Sequence, residues 1–86
     1  MNVRIPSPLF SYTRGQAQVE GRGTTVGELV ADLDRKFPGL RFRIIDEQDR
    51  IRTHILIYVA GTAARNLAQA VGANDDVMIV AALSGG

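Results

Sequence analysis

The pattern of hydrophobic and polar positions predicts one clear helix in the middle of the chain. Apolar residues recur there at helical spacing and form a single stripe: Val26, Leu29, Val30, Leu33 and Phe37. Thr25 precedes the stripe and Glu28 follows three residues later, which is the arrangement of a helix N-cap with a capping box. Pro38 and Gly39 end the helix. We expect the stripe to pack against a sheet, because an amphipathic helix needs an apolar partner.

Alternation of apolar and polar residues predicts strands on both sides of this helix. Residues 3–5 and 16–20 alternate before it, and residues 54–60 and 77–82 form strong strand signals after it. Weaker signals suggest short strands at 50–52 and at the start of 63–70, with a helical turn after the latter. Residues 9–15 are predicted to form a loop, and residues 40–45 fit either a short helical turn or an irregular segment.

This order of elements favours an α+β fold of the β-grasp, or ubiquitin-like, type. The fold would have a mixed sheet of four or five strands with one main helix packed on one face, and the last strand in the centre beside the first. A ferredoxin-like fold is the main alternative, but it needs a second full helix, and residues 63–70 have too few apolar residues for one. We predict a domain over residues 1–82 and a flexible tail over 83–86.

The two strongest strands are apolar on both faces, whereas one helix covers only one face of a sheet. The second face is predicted to expose Leu56, Tyr58, Met78 and Val80, and exposed apolar patches commonly mark a partner surface. Phe10 is a further candidate for this partner-binding surface. The alternatives are that a loop carrying Phe10 and Tyr12 covers the patch, or that the chain self-associates.

Composition narrows the possible functions. The chain has 86 residues, a net charge of +1 and no cysteine, which fits one small domain held together by its apolar core. The charge balance gives no electrostatic reason to expect nucleic acid or an anionic membrane as partner. The apolar runs are too short to span a membrane, and no secretory signal is recognisable at the N-terminus, so we expect a cytoplasmic protein.

The side chains suggest no catalytic, metal or cofactor site. His54 is the only histidine and is expected at the surface, because one histidine does not make a metal site. The carboxylates of Asp46, Glu47 and Asp49 fall in a predicted turn beside arginines, where solvated charges are the expected arrangement. Arginines 41, 43, 50 and 52 suggest a solvated face or a docking rim for an acidic partner.

The chemistry that remains is that of the last residues, Leu83-Ser84-Gly85-Gly86. Glycine has no Cβ, so a Gly-Gly end can pass through a channel that is too narrow for a side chain. A carboxylate is a poor electrophile and needs activation, for example as an acyl-adenylate, by an ATP-using partner. Ordering this tail costs roughly 1–2 kcal/mol per residue, so a docking surface elsewhere must offset the cost.

Over nearly its whole length the sequence resembles the ubiquitin-like sulfur carriers, which include ThiS, MoaD and CysO. The resemblance is carried by several short segments and by the Gly-Gly end: Val3-Arg4-Ile5-Pro6, Gly15-Gln16, Thr24-Thr25-Val26-Gly27-Glu28-Leu29, Asp32-Leu33, His54-Ile55-Leu56-Ile57-Tyr58-Val59, Asn74-Asp75-Asp76-Val77 and Ser84-Gly85-Gly86. The spacing before the helix and the turn at residues 46–52 look closest to the CysO-like branch. Ala60-Gly61 and Leu83-Ser84 depart from the residues common in relatives.

The resemblance implies that an E1-like enzyme adenylates Gly86 and that a sulfur donor converts it to a thiocarboxylate. The thiocarboxylate would give its sulfur to a biosynthetic acceptor of the cysteine, molybdopterin or thiamin type, with a metalloprotease releasing the product in CysO-like systems. The chain would be a carrier rather than an enzyme, or the small subunit of a synthase. The alternatives are a protein modifier that forms isopeptide bonds through Gly86, and a non-covalent β-grasp binding module.

Overall fold

In the part of the chain that the structure describes, five strands form one mixed sheet, and the last strand lies at its centre beside the first. The computed structural model describes residues 1–81. The strands are β1 (Asn2–Arg4), β2 (Gln18–Glu20), β3 (Ile55–Val59), β4 (Thr62–Ala63) and β5 (Val77–Ala81), in the spatial order β2-β1-β5-β3-β4. β1 and β5 are parallel, and every other pair is antiparallel. This order, with one long helix on one face, confirms the predicted β-grasp fold.

The main helix, α1 (Val26–Lys36), begins where the sequence predicts. Thr25 Oγ1 accepts a hydrogen bond from the Glu28 N–H at 3.2 Å, so Thr25 is the N-cap. The Glu28 carboxylate accepts from the N–H and the hydroxyl of Thr24, both at 2.8 Å. The reciprocal bond therefore reaches one residue further back than in a standard capping box. The Val26 N–H, which has no acceptor within the helix, donates to the Gln69 carbonyl at 2.9 Å.

The core lies between α1 and the inner face of the sheet. All five predicted stripe residues of α1 and its C-cap are buried, and they face the buried side chains of β3 and β5: Ile55, Ile57, Val59, Val77 and Ile79. Residues 40–45, for which the pattern fits either a short helical turn or an irregular segment, contain a second helix, α2 (Leu40–Ile44). Its Leu40 and Ile44, four residues apart, are fully buried and close one end of the core.

The segment that follows β1 differs from its prediction. Residues 9–15 were predicted to form a loop, whereas a 3₁₀ helix spans Ser7–Tyr12 with a proline in its first turn. Proline has a fixed φ and no N–H, which suits the start of a helical turn as well as it suits a loop. Leu9 is buried in the core, and the Ile5 N–H donates to the Ala17 carbonyl at 2.8 Å, which closes this long connection.

The connection after β3 is a tight hairpin. Residues 60 and 61 alone join β3 to β4, and both have positive φ: 49° at Ala60 and 87° at Gly61. Two successive positive φ values are typical of a type I′ turn, which matches the twist of the two strands. β4 accordingly begins at Thr62 rather than after it. The helical turn predicted later in 63–70 is absent from the described helices, and residues 50–52 form only an isolated bridge, Ile45 to Ile51.

Candidate functional site

Four of the five predicted partner-binding residues lie together on the outer face of the sheet. In the β3–β5 register, Leu56 is directly opposite Val80, and Tyr58 is directly opposite Met78. Directly opposed side chains on one face of an antiparallel pair have Cβ atoms about 4.5–5.5 Å apart, so the four form a continuous cluster. We call this cluster the sheet patch.

The sheet patch is open to solvent. Leu56 is 41% exposed and Met78 is 40% exposed, whereas Tyr58 and Val80 are half-buried. The residues that alternate with them along β3 and β5 point to the core. The two-residue period of a strand therefore places one apolar set on the inner face and the sheet patch on the outer face. The exposure of large apolar side chains in one cluster favours a partner surface over a free solvent-facing sheet.

Polar groups frame the sheet patch on the side of β1. Arg4 pairs with Met78 on β5 and with Gln18 on β2, so a polar row extends from the patch to the edge of the sheet. Arg4, Tyr58, Asp76 and Met78 line one shallow concavity. A second concavity runs along β5 and the end of β1 towards the 3₁₀ helix, and its walls are formed by Arg4, Ile5, Pro6, Ser7, Pro8, Ala17, Gln18, Met78, Ile79, Val80 and Ala81.

The structure places Phe10, the fifth predicted residue, away from the other four. Phe10 lies in the 3₁₀ helix, and its half-buried side chain packs against the hydrophobic core. Tyr12 of the same helix is held by Arg43 of α2, which donates from Nε to the Tyr12 hydroxyl. The segment that carries Phe10 and Tyr12 therefore does not cover the sheet patch, and Leu56 and Met78 are exposed.

The predicted reactive residue, Gly86, and the tail residues Leu83, Ser84 and Gly85 lie outside the described residues. The described chain ends at Ala81, which pairs with Ile55 in the sheet. The neighbouring pair on the same two strands is Leu56 with Val80. The chain therefore leaves the described domain directly beside the sheet patch.

The turn carboxylates have structural roles. Asp46 Oδ1 accepts hydrogen bonds from the backbone N–H groups of Arg50 at 3.0 Å and Gln48 at 2.9 Å. The Arg50 N–H is the main cause that lowers the pKa of the Asp46 carboxyl, because a hydrogen bond to the ionised form favours that form. Asp49 pairs with Arg41 at 3.1 Å. Within residues 1–81 no three His, Cys, Asp or Glu side chains are grouped as metal ligands would be.

Sequence reasoning missed one exposed residue, Phe42. Its side chain is 56% exposed on the outer side of α2, and the Arg52 guanidinium lies 4.7 Å from the centre of its ring. The signal was present, because burial of Leu40 and Ile44 on a helix leaves position 42 on the opposite side. The segment was too short to be assigned as a helix from its pattern alone.

Comparison with known proteins gives a consistent result. The ThiS family model matches residues 3–86. The sulfur carrier protein CysO of Mycobacterium tuberculosis is 33% identical over 91 residues, covering 100% of this chain and 98% of that protein. Its crystal structure matches with a TM-score of 0.89 at 30% identity, over 95% of this chain and 98% of the other.

Two further solved structures are similar over nearly the full length. The Amycolatopsis orientalis BexX/CysO complex contains a chain with a TM-score of 0.91 and 30% identity, covering 99% of this chain and 98% of that chain. Small archaeal modifier protein 1 (SAMP1) of Haloferax volcanii has a TM-score of 0.78 and 26% identity, covering 100% and 98%. Among the described residues, no helix is long and apolar enough to cross a membrane.

Proposed function

Because the chain belongs to the ThiS family, we propose that it is a sulfur carrier that holds sulfur as a thiocarboxylate on Gly86. The full-length likeness to the sulfur carrier protein CysO is the observation that carries this proposal. The family match extends to residue 86 and so includes the Gly85-Gly86 pair. The β-grasp domain in turn provides an exposed apolar patch beside the point where the chain leaves the sheet.

The proposed cycle needs an E1-like partner that uses ATP. A carboxylate oxygen of Gly86 attacks the α-phosphorus of ATP, which forms an acyl-adenylate and releases pyrophosphate. Hydrosulfide supplied by a sulfur donor then attacks the carbonyl carbon and expels AMP, which leaves a thiocarboxylate. Its sulfur is the nucleophile towards a biosynthetic acceptor. The chain contributes the carbonyl group and the docking surface, while the partners supply the catalytic groups in the cytoplasm.

Docking through the sheet patch would offset part of the cost of ordering the tail. Fixing each backbone residue of the tail costs roughly 1–2 kcal/mol. Fully burying a large apolar side chain contributes roughly 1.5–3 kcal/mol. Leu56 is 41% exposed and Met78 is 40% exposed, so docking would gain the part of this free energy that belongs to their exposed surface. The Amycolatopsis CysO was solved in a complex with another protein, BexX, which supports a docking role for this chain.

The likeness to CysO favours cysteine synthesis as the destination of the sulfur, with a metalloprotease that releases the product. Molybdopterin and thiamin acceptors are the alternatives within the same proposal. Reconstitution of the loaded carrier with a cysteine synthase, a thiazole synthase or a large molybdopterin synthase subunit separates the three. Sulfur transfer to only one of these enzymes identifies the pathway.

Intact mass spectrometry tests the carrier proposal. After co-expression with an activating enzyme and a sulfur donor, we expect a species in which one oxygen is replaced by sulfur. The variant without Gly86 is the control, and it should fold normally and stay unmodified. Failure to find this species with any paired activating enzyme would refute the proposal.

Protein modification is a second candidate function, favoured by the likeness to SAMP1 of Haloferax volcanii. The chain has one lysine, Lys36, whose Nζ contacts the Glu20 carbonyl at 3.0 Å and Asp32 at 3.3 Å. Isopeptide bonds would therefore join Gly86 mainly to lysines of other proteins. Covalent adducts in cell extracts that disappear without Gly86 would support this function, and full activity of a tail-deleted variant would instead support a non-covalent module.

A further inference from the structure

The outer side of α2 carries an aromatic residue that lies outside the hydrophobic core. Leu40 and Ile44 are fully buried, whereas Phe42 between them is 56% exposed. Exposed phenylalanine gains from burial in a partner, and aromatic residues are enriched at protein interfaces. Phe42 is separate from the sheet patch, so it needs an explanation of its own.

Arg52 fixes the position of Phe42. The guanidinium lies 4.7 Å from the ring centre, which is a cation–π contact, and Arg52 Nε donates to the Phe42 carbonyl at 2.7 Å. A side chain that is already held in one position loses less conformational entropy when a partner binds it. The pair is therefore a preorganised contact element rather than a freely moving surface residue.

The charge around Phe42 is positive. Within residues 1–81 neither Arg43 nor Arg52 forms a salt bridge, whereas their neighbour Arg41 is neutralised by Asp49. Glu47 is the only carboxylate among the residues that line the concavity with them: Phe42, Arg43, Glu47, Arg52 and His54. The Asp46 carboxylate lies within electrostatic reach of Arg52 and also of Arg50. The arginines at positions 43, 50 and 52 thus outnumber the carboxylates of Asp46 and Glu47, which leaves a net positive surface that an acidic surface complements.

This surface reaches the point where the chain leaves the sheet. Arg43 and His54 also line the adjoining concavity, which extends past Pro8 and Tyr12 to Ala81. Ala81 pairs with Ile55, next to the Leu56–Val80 pair of the sheet patch. A protein that holds the last residues of the chain and the sheet patch thus lies within reach of Phe42, Arg43 and Arg52.

From these observations we propose that Phe42, Arg43 and Arg52 form a second docking surface for the enzyme that activates Gly86. The occupant is an acidic surface of that enzyme with an apolar pocket for the Phe42 ring. The inference rests on the proposed function, because it needs an enzyme that works on the C-terminal residues. It adds a contact region that the sheet patch does not include.

Steady-state ATP–pyrophosphate exchange by the activating enzyme, measured against carrier concentration, tests the inference. We expect Phe42→Ala and Arg43→Glu each to raise the KM for the carrier about ten-fold and to change kcat less than about two-fold. The KM of the wild type should rise with salt, and that of R43E should rise less steeply. Arg65→Glu is the matched control, because it makes the same charge change at an exposed residue elsewhere and should leave KM near the wild-type value.

Circular dichroism melts of all variants separate loss of docking from loss of folding. Because Arg43 also contacts Tyr12, Arg43→Gln provides a milder second variant at this position. Wild-type KM values for both F42A and R43E would overturn the inference while the proposed function stands. A dimer that is lost in F42A at unchanged KM would assign the surface to a second copy and overturn it as well. If the wild type supports no exchange with any activating enzyme, the proposed function fails first, and this inference fails with it.

Discussion

The hairpin between β3 and β4 stores strain at a residue that can be changed without touching the core. Ala60 is exposed and has a φ of 49°. For residues with a Cβ, the left-handed region costs roughly 1–2 kcal/mol, whereas asparagine is tolerated there and Asn-Gly is favoured in type I′ turns. Ala60→Asn creates this pair with Gly61 and keeps the backbone N–H that donates to the Asp76 carbonyl at 2.9 Å.

We expect Ala60→Asn to stabilise the domain by about 1 kcal/mol, which is the lower part of the strain range. For a domain of this size that free energy raises Tm by roughly 4–8 °C. Ala60→Gly removes the strain too, but it gives the unfolded chain more freedom, worth about 0.4–1 kcal/mol, so its Tm should lie between those of the wild type and A60N. Thermal and urea unfolding followed by circular dichroism measure both variants.

Ala73→Asn is the control, because Ala73 is exposed in a turn and is not among the residues with positive φ. It should leave Tm within roughly 2–4 °C of the wild type, since surface substitutions usually stay within about ±0.5 kcal/mol. If A60N has an unchanged or lower Tm, or if A73N stabilises as much, the strain argument is refuted.

Three further predictions concern the core, the helix cap and the sheet patch. Leu33→Ala should lower the free energy of unfolding by about 2–5 kcal/mol in urea titrations, because Leu33 is fully buried; a loss under 1 kcal/mol would contradict its place in the core. Hydrogen bonds from the Thr24 N–H and hydroxyl lower the pKa of Glu28, so its contribution is present above the unfolded-state pKa and is lost as the pH falls through the folded-state pKa. Glu28→Gln should therefore lose less stability than the wild type between about pH 5 and pH 2, and equal losses would disprove this. Met78→Glu should abolish detectable adenylation while Tm changes by only a few degrees, with Ala73→Glu as a fully active control; unimpaired adenylation of M78E would rule out docking through the sheet patch.

The sequence predicts α1 well because the signals for this helix are local. The Thr25 cap and the apolar stripe lie within a few residues of one another, and the structure confirms both. The sheet patch was predictable for a similar reason. Its two strands are apolar on both faces, and one helix covers only one face of a sheet. The exposure of Leu56 and Met78 follows from the period of the strands together with the presence of one covering helix.

The parts that the sequence did not resolve depend on tertiary contacts. A five-residue helix such as α2 is unstable by itself, so burial of Leu40 and Ile44 against the core determines that it forms. The position of Phe10 depends on how the 3₁₀ helix packs, and no periodicity encodes that. The identification of Phe42 as an exposed residue requires α2 to be known first.

The pairing of β1 with β5 has a consequence for how the protein matures. β1 precedes every other described element along the chain and β5 follows them all, yet the two are neighbours in the sheet and β5 is its central strand. Contacts of such high sequence separation form late and slow folding. A nascent chain thus lacks its central strand until translation has passed Ala81, and the sheet patch, which takes Met78 and Val80 from that strand, is assembled only then. The order of synthesis would therefore keep unfinished chains from any partner that docks on the sheet patch.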